Sequence, residues 1–530
     1  PENQSGAQTY GTFASNNATR LNVIYAGGND GLMHGFEAGS FDASGNFVNT
    51  SNDGKEVIGY MPANVLASKA VSLTDPKYSH DYMVDATPAV GDLFYGNAWH
   101  TWLVGGTGST GKEIYALDIT NPGNFSEANA GSLVIGDWTN TSTGLSNLGN
   151  TVGSPIIARM HNGQWAIIFG NGLGSGTSAG VYIGLVDKTT GTVTYQFLDT
   201  GVGSSTSANG IAYVTSVDLD GDHVADYLYA GDLQGNVWRF DVTSSDASKW
   251  NVSTFGNKAA TPLFVAKDAS NNLQPITTAI VAAAIQTSSM SRTMLYFGTG
   301  QKTPQTATSG DTYASGAQTF YGIWDWDMDG WNGKSSVKYA SLTETQSFTR
   351  SNLLAQIATE AAATGSGAVQ GYRSLPTGTQ VCWQGTSTCA SGNTQYGWLY
   401  DFPTAGEQII YNPTIIDGAV VVQTAIPPSV SAIQCNAGTQ TGWTMAFDPA
   451  SGGGLPEGFF PNSSGAFGTN SDGTVISGVQ LNAVGTPTTV TYQGQIYMVT
   501  QTVKGSAALS KVNPPSANSN TRVSWREIRN

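Results

Sequence analysis

Short runs of apolar and β-branched residues, separated by turns rich in Gly, Asn and Ser, make up most of the 530-residue sequence. This pattern is typical of a sheet protein built as a sandwich, a barrel or a propeller. The period of an amphipathic helix is nearly absent. The best helical candidate is Arg350–Ala363, which ends just before a Gly-Ser-Gly turn and is expected to lie in an insertion.

A degenerate repeat organises these runs. Each unit is a β-run that ends in Gly, a polar turn, and a second β-run that ends near Asp. The first run is apolar on both faces, and its Gly is expected to turn the backbone through a positive φ. Six units are clear and a final pair of runs completes a seventh: residues 22–38, 101–119, 165–187, 226–241, 294–325, 419–448 and 489–501.

The repeat predicts an all-β fold, a seven-bladed β-propeller formed by residues 1–530 as a single domain. A four-stranded blade takes about 40–45 residues. The units lie farther apart than that, so the blades are expected to carry insertions. A run of unrelated β-sandwiches is the alternative.

Composition restricts the class of protein. The chain has 66 Gly and only 11% charged residues, whereas an average domain has about 25%. Ser, Thr, Asn, Gln and Gly take the place of the missing charges, as in extracellular β proteins. The net charge of −15 disfavours a nucleic-acid partner, because the phosphate backbone would repel the chain, and is compatible with cation binding.

Two of the three cysteines predict a disulfide. Cys382 and Cys389 lie in a short polar loop, VCWQGTSTC, and two unpaired thiols are the alternative. Cys435 is left over, and either pairs with a segment outside this sequence or is buried and inert. No run of 18 apolar residues occurs, so no membrane-spanning helix is expected. With no signal peptide present, we expect a C-terminal piece of a longer secreted protein.

The sharpest motif is a candidate calcium loop. Its carboxylates recur at positions 1, 3, 5 and 9, and position 7 is expected to offer its backbone carbonyl. The five candidate ligands are Asp218, Asp220, Asp222, Val224 and Asp226. Four carboxylates so close together would repel one another without a cation. A solvated, Asp-rich turn is the alternative.

The loop departs from an EF-hand. Position 12 is Tyr229 instead of Glu, position 6 is His223 instead of Gly, and the flanking segments have the pattern of strands. Without the bidentate Glu, a moderate affinity is expected, matched to extracellular calcium. A second series, Asp325, Asp327 and Asp329, begins in the same way but has Gly333 at position 9, and whether it forms a second ion site is open.

Seven segments, spread over nearly the whole chain, carry a recognisable pattern. They are AGGNDGLMHGFEA (26–38), VDATPAVGDLF (84–94), LVGGTGSTGKEIYALDITNP (103–122), LGNTVGSPIIARMHNGQWAIIFGNGLGS (148–175), YLYAGDLQGNVWRFDV (227–242), GWLYDFPTAGEQIIYNPTIIDGAVVVQTAIP (397–427) and VSWRE (523–527). In this order they resemble the C-terminal domain of the PilC/PilY family of type IV pilus tip adhesins. The calcium loop followed by YLYAGDLQGNVWRFDV is the most specific of the matching segments.

The resemblance implies a modified seven-bladed propeller related to quinoprotein dehydrogenases. It implies an extracellular protein of the pilus tip or outer surface that supports pilus biogenesis, attachment to host or abiotic surfaces, and twitching motility, with minor pilins as partners. The family's DxDxDxxxD loop, which gates pilus extension against retraction, maps onto Asp218, Asp220, Asp222, Val224 and Asp226. The integrin-binding Arg-Gly-Asp tripeptide of some members is absent from this sequence.

Two other functions are the alternatives on this fold. A quinone-dependent dehydrogenase on this fold needs a stacking Trp and usually a vicinal disulfide, and the chain has no Cys-Cys pair, so no enzymatic activity is expected. A lectin-like, surface-binding propeller with purely structural calcium would stack sugars on aromatic side chains. Its candidates are Trp326, Trp331 and Trp383, in expected loops, although such aromatics more often pack in the core.

Overall fold

The computed structural model describes residues 9–257, 260–287, 290–304, 310–344, 346–363, 369–428, 439–481, 483–503 and 505–515. Strands are the main regular structure in this part of the chain and pair almost entirely antiparallel, and the chain divides into two compact units. The first unit contains the chain up to Asp232 and the segment Arg239–Ser253, and the second contains most of the remainder. No helix among the described residues is long and apolar enough to cross a membrane.

The helices are short. The α-helices are α1 Tyr10–Asn16, α2 Ala63–Ser68, α3 Ala130–Leu133 and α4 Asp329–Asn332. Single 3-10 turns occupy Ala70–Thr74, Gly108–Thr110, Pro122–Asn124, Glu127–Asn129, Ala247–Lys249, Phe255–Asn257 and Arg350–Asn352.

The strands of the first half of the chain form four main sheets, three of which are built from consecutive strands. Their orders are β1-β2-β5, β6-β7-β8-β9, β10-β11-β12-β13 and β14-β15-β16-β17, with β18 paired to β16 and a small β3-β4 ribbon. The bounds are β1 Val23–Gly27, β2 Met33–Glu37, β3 Ser40–Phe41, β4 Phe47–Val48, β5 Glu56–Tyr60, β6 Ala89–Tyr95, β7 Ala98–Gly106, β8 Glu113–Asp118, β9 Val134–Thr139, β10 Ile156–Arg159, β11 Trp165–Gly170, β12 Gly180–Val186, β13 Val193–Asp199, β14 Ile211–Val217, β15 Tyr227–Asp232, β16 Asn236–Asp241, β17 Asn251–Val252 and β18 Phe264–Val265.

The second half of the chain adds three further sheets, of five, six and three strands, and one ribbon. Their orders are β19-β20-β23-β27-β24, β25-β26-β31-β30-β29-β28 and β32-β33-β34, with the ribbon β21-β22. The bounds are β19 Val281–Gln286, β20 Ser291–Gly298, β21 Lys302–Thr303, β22 Thr312–Tyr313, β23 Thr319–Trp324, β24 Leu354–Gln356, β25 Thr359–Ala362, β26 Gly371–Pro376, β27 Gly397–Asp401, β28 Thr414–Ile416, β29 Ala419–Gln423, β30 Trp443–Phe447, β31 Thr474–Gln480, β32 Ala483–Tyr492, β33 Gln495–Thr502 and β34 Ala507–Val512.

The seven repeat units of the sequence are confirmed as pairs of neighbouring antiparallel strands. They are β1–β2, β7–β8, β11–β12, β15–β16, β20–β23, β29–β30 and β32–β33. The expected two-sided burial of the first strand holds for β11, β15 and β29, all of whose residues are buried. The exceptions are β1 and β32, in which most residues are not buried.

The Gly at the end of β1, β7 and β11 has a different role from the one expected. Gly27, Gly106 and Gly170 do not adopt a positive φ. A Cβ at these positions would instead lie 2.1 Å from Val84 O, 2.6 Å from Thr151 O and 2.2 Å from Ile211 O, respectively. Each of those oxygens belongs to the segment that enters, or the strand that begins, the next sheet along the chain. The Gly is therefore needed for close packing between successive sheets, not for a turn.

The expected helix Arg350–Ala363 is wrong. After one 3-10 turn the segment is extended: β24 pairs with β27 in parallel, and β25 pairs with β26. The backbone hydrogen bonds gained by pairing with a neighbouring strand override the intrinsic helix propensity of this Ala-rich sequence.

The cysteine prediction is confirmed in part. Cys382 and Cys389 form a disulfide, as the local spacing indicated. Cys435 lies outside the described residues.

Candidate metal centre

The candidate calcium loop connects β14 and β15, so strands flank it on both sides as the sequence indicated. The loop is tightly turned by its own carboxylates. Asp218 accepts hydrogen bonds from the backbone N–H of Gly221 at 2.6 Å and of His223 at 3.0 Å, and Asp222 accepts one from Val224 at 2.9 Å. Gly221 and His223 have φ values of 84° and 66°. A non-Gly residue in this region is uncommon, so the hydrogen bonds to Asp218 help to impose the turn.

Three of the expected ligands converge. Carboxylate oxygens of Asp218, Asp220 and Asp222 all lie within 4.8 Å of one another, and among the described residues this is the only such group of three. Asp220 and Asp222 are exposed and Asp218 is half-buried, so a cation can reach them from solvent. Hard oxygen donors at this spacing suit calcium, which takes six to eight oxygen ligands at about 2.3–2.6 Å. The residues present therefore fit the ion.

Asp226 lies apart from this group. It is fully buried. Its Oδ2 accepts the backbone N–H of Leu219 at 2.6 Å, and its Oδ1 lies 2.8 Å from His161 Nε2. Its own backbone N–H donates to Val217 O at 2.9 Å. Asp226 thus joins the beginning of the loop to its end. Because each carboxylate oxygen has two lone pairs, these hydrogen bonds leave capacity for a cation.

Burial and nearby charges change the pKa values of Asp226 and His161. Burial raises the pKa of Asp226 to about 6, although the hydrogen bonds from His161 and Leu219 favour its charged form. For His161, burial disfavours the charged form, but the hydrogen bond and charge of Asp226, with the charges of Asp222 and Asp220, outweigh it and raise the pKa. The raised pKa of His161 thus reflects the negative charge of the neighbouring Asp residues.

The second Asp series is arranged differently. Asp325 is fully buried in the chain after β23, Asp327 accepts a backbone hydrogen bond from Gly256 at 2.8 Å, and Asp329 opens α4. These three carboxylates do not form a metal-sized group. The structure gives no support for a second ion site there.

The aromatic candidates for sugar stacking are not surface residues. Trp326, Trp331 and Trp383 are 2%, 3% and 5% exposed, so all three pack in the core and the lectin-like alternative loses its candidate residues. Trp331 donates its indole N–H to Val337 O, and Trp383 packs on the guanidinium of Arg292. The rings of Trp331 and Trp383 thus find a polar or cationic partner inside the protein, and the ring of Trp326 packs near Phe255.

The family described as the PilY1 beta-propeller domain matches residues 2–367. The chain belongs to this family. The crystal structure of the Pseudomonas aeruginosa PilY1 C-terminal domain aligns with a TM-score of 0.68 at 28% identity, covering 96% of this chain and 95% of that one. The fold class expected from the sequence, a modified seven-bladed β-propeller, is thereby confirmed.

Curated relatives carry the same family name. The type IV pilus biogenesis factor PilY1 of Pseudomonas aeruginosa (strain UCBPP-PA14) is 31% identical over 551 residues, which cover 98% of this chain and 43% of the relative. A PilY1 homolog of Xylella fastidiosa (strain Temecula1 / ATCC 700964) is 30% identical over 535 residues, covering 99% of this chain and 37% of the relative. The chain therefore spans less than half the length of these PilY1 relatives.

Sequence reasoning missed His161. It lies in the turn between β10 and β11, 65 residues before Asp226. A lone His in the polar segment MHNGQ carries no local signal of its partner. Only the folding of successive sheets brings it to the loop, through the bridge between Arg159 and Val224.

Proposed function

We propose that this chain is the β-propeller part of a calcium-binding factor of type IV pili, which supports pilus biogenesis, surface attachment and twitching motility. The similarity to PilY1 proteins extends over nearly the whole chain and supports the pilus assignment. No enzymatic step is part of the proposal.

Calcium is the proposed cofactor, held by Asp218, Asp220, Asp222, the backbone carbonyl of Val224, and Asp226. The convergence of the first three carboxylates is the observation that carries this assignment. A bound calcium ion would neutralise their mutual repulsion and fix the loop. The proposed consequence is that calcium occupancy regulates the balance between pilus extension and retraction.

The proposed partners are the minor pilins at the pilus tip and a host or abiotic surface, and the proposed location is extracellular, at the pilus tip or outer cell surface. The high net negative charge argues against a nucleic-acid partner.

The test replaces the factor in a piliated bacterium with the full-length protein that contains this domain, either wild type or with Asp218→Asn. Asn removes the negative charge and keeps one oxygen, which can accept one of the two loop hydrogen bonds that Asp218 accepts. Surface pili and twitching zones are measured. We expect wild type to restore both, and the variant to be exported but to lose the normal balance of pili and motility. No restoration by wild type would contradict the pilus role, and full restoration by Asp218→Asn would contradict the calcium role.

A further inference from the structure

The turn between β10 and β11 is built to hold one side chain in place. Met160 N–H donates to Gln164 O at 2.8 Å, and Gly163 N–H donates to Met160 O at 2.8 Å. Lys188 Nζ donates to Asn162 O at 3.0 Å, which ties the turn to the end of β12. His161 projects from this closed turn with three quarters of its side chain covered. A side chain held in this way loses little further entropy when it binds a partner.

Backbone and side-chain contacts join this turn and the preceding strand end to the end of the candidate calcium loop. The Arg159 backbone forms a parallel bridge with Val224, in which Ala225 N–H donates to Arg159 O at 2.9 Å. The side-chain contact is the hydrogen bond between His161 Nε2 and Asp226 Oδ1 at 2.8 Å. A substitution at His161 removes this hydrogen bond and leaves the backbone bridge in place.

Asp226 also forms a hydrogen bond with the backbone at the start of the loop. The carboxylate that His161 holds accepts the Leu219 N–H through its other oxygen at 2.6 Å. Leu219 lies between Asp218 and Asp220, two of the converging carboxylates. The orientation of Asp226 therefore fixes the backbone between two candidate ligands, and the orientation of Asp226 depends on an imidazole from the neighbouring sheet.

We propose that His161 is a positioning residue of the calcium loop: by orienting Asp226 it sets the geometry in which the loop carboxylates meet the ion, and it couples calcium occupancy to the β10–β11 turn. This inference rests on the proposed calcium function. Outer partners of metal-ligating carboxylates typically change metal affinity by about 10–100-fold when removed. Coupling is reciprocal, so calcium in turn stabilises the contacts of the turn.

The chain provides a matched control. His100 Nδ1 lies 3.0 Å from Asp118 Oδ2 on the β7–β8 pair, and its side chain is 24% exposed, against 25% for His161. Asp118 is not among the candidate ligands. Substitution of His100 therefore removes a similar ion pair without touching the loop.

The experiment titrates calcium into the chelated protein by calorimetry, using wild type, His161→Ala, His161→Gln and His100→Ala. We expect His161→Ala to raise the dissociation constant for calcium about 10–100-fold. His161→Gln should recover part of the lost affinity, because its amide N–H can donate to Asp226. His100→Ala should bind calcium like wild type. Equal calcium affinities for wild type and His161→Ala would overturn the inference. Equal losses in His161→Ala and His100→Ala would also overturn it, because they would indicate a general effect on folding.

Amide hydrogen exchange separates this inference from the calcium assignment. Without calcium, His161→Ala should exchange faster than wild type at the amides of Leu219 and Ala225, whereas His100→Ala should not. A wild type that binds no calcium would refute the proposed function, and the exchange rates would then decide whether His161 positions the loop. Unchanged exchange at both amides in His161→Ala would overturn the positioning role.

Discussion

A buried pair of carboxyl groups predicts a specific pH dependence of stability. Glu113, at the start of β8, is fully buried, and its Oε1 accepts the backbone N–H of Asn64 at 2.8 Å. Asp137, on β9, accepts the Tyr60 hydroxyl at 2.6 Å and the Ala63 N–H at 2.7 Å, both through Oδ2. The remaining oxygens, Glu113 Oε2 and Asp137 Oδ1, are buried and find no donor among the described residues. One proton shared between the two carboxyl groups satisfies both oxygens.

Burial and the hydrogen bond with Asp137 raise the pKa of Glu113 from 4.5 to about 8. The folded state therefore holds this proton more tightly than the unfolded state. The stabilisation from the proton is fully present below about pH 4.5 and is lost as the pH rises through about 8. At about 1.4 kcal/mol for each pKa unit, the loss amounts to roughly 5 kcal/mol.

The perturbation that tests this is Glu113→Gln. The Gln carbonyl can still accept the Asn64 N–H, and its amide N–H can donate to Asp137 at every pH. We expect urea unfolding at pH 5, 7 and 9 to show wild type losing stability relative to the variant, by up to roughly 5 kcal/mol at pH 9. Glu127→Gln, an exposed Glu of the same unit, is the control and should follow wild type. A constant difference between wild type and Glu113→Gln across this pH range would refute the shared proton.

Two further predictions concern the fold. Gly170→Ala should lower the free energy of unfolding by about 1–3 kcal/mol, because the new Cβ would lie 2.2 Å from Ile211 O. The control is Gly131→Ala, whose Cβ would meet nothing within 4 Å and which should be neutral or slightly stabilising. Equal melting temperatures for the two variants would contradict the packing role of Gly170. The double substitution of Cys382 and Cys389 by Ser should lower the free energy of unfolding, measured in urea, by about 2–3 kcal/mol. Reduction of the wild-type disulfide should lower it by the same amount. An unchanged urea midpoint in either case would count against a stabilising disulfide.

The sequence was most informative where neighbouring residues decide the structure. The hairpins were predictable because an apolar strand, a turn and a second strand are contiguous. The disulfide and the strands flanking the calcium loop were predictable for the same reason. The convergence of Asp218, Asp220 and Asp222 follows from alternating positions in one short loop.

The predictions failed where distant segments decide the structure. Arg350–Ala363 has helix-forming residues but is extended, because strands β26 and β27 supply its hydrogen-bond partners. The sequence predicts a turn at the strand-end Gly, whereas in the structure the next sheet packs so closely that a side chain would not fit at this position. His161 and Glu113 could not be assigned from the sequence, because their partners Asp226 and Asp137 meet them only after successive strands and sheets have packed.

Calorimetric titration of calcium into the chelated protein tests the central claim most directly, with Asp218→Asn compared to wild type. Asp187→Asn is the control, since Asp187 also accepts turn hydrogen bonds, from Thr189 and Thr190, but lies outside the cluster. We predict one calcium site in wild type and in Asp187→Asn, with a dissociation constant in the micromolar to millimolar range, and loss of that site in Asp218→Asn. Equal binding by Asp218→Asn, or no binding by wild type, would contradict a calcium centre in the β14–β15 loop.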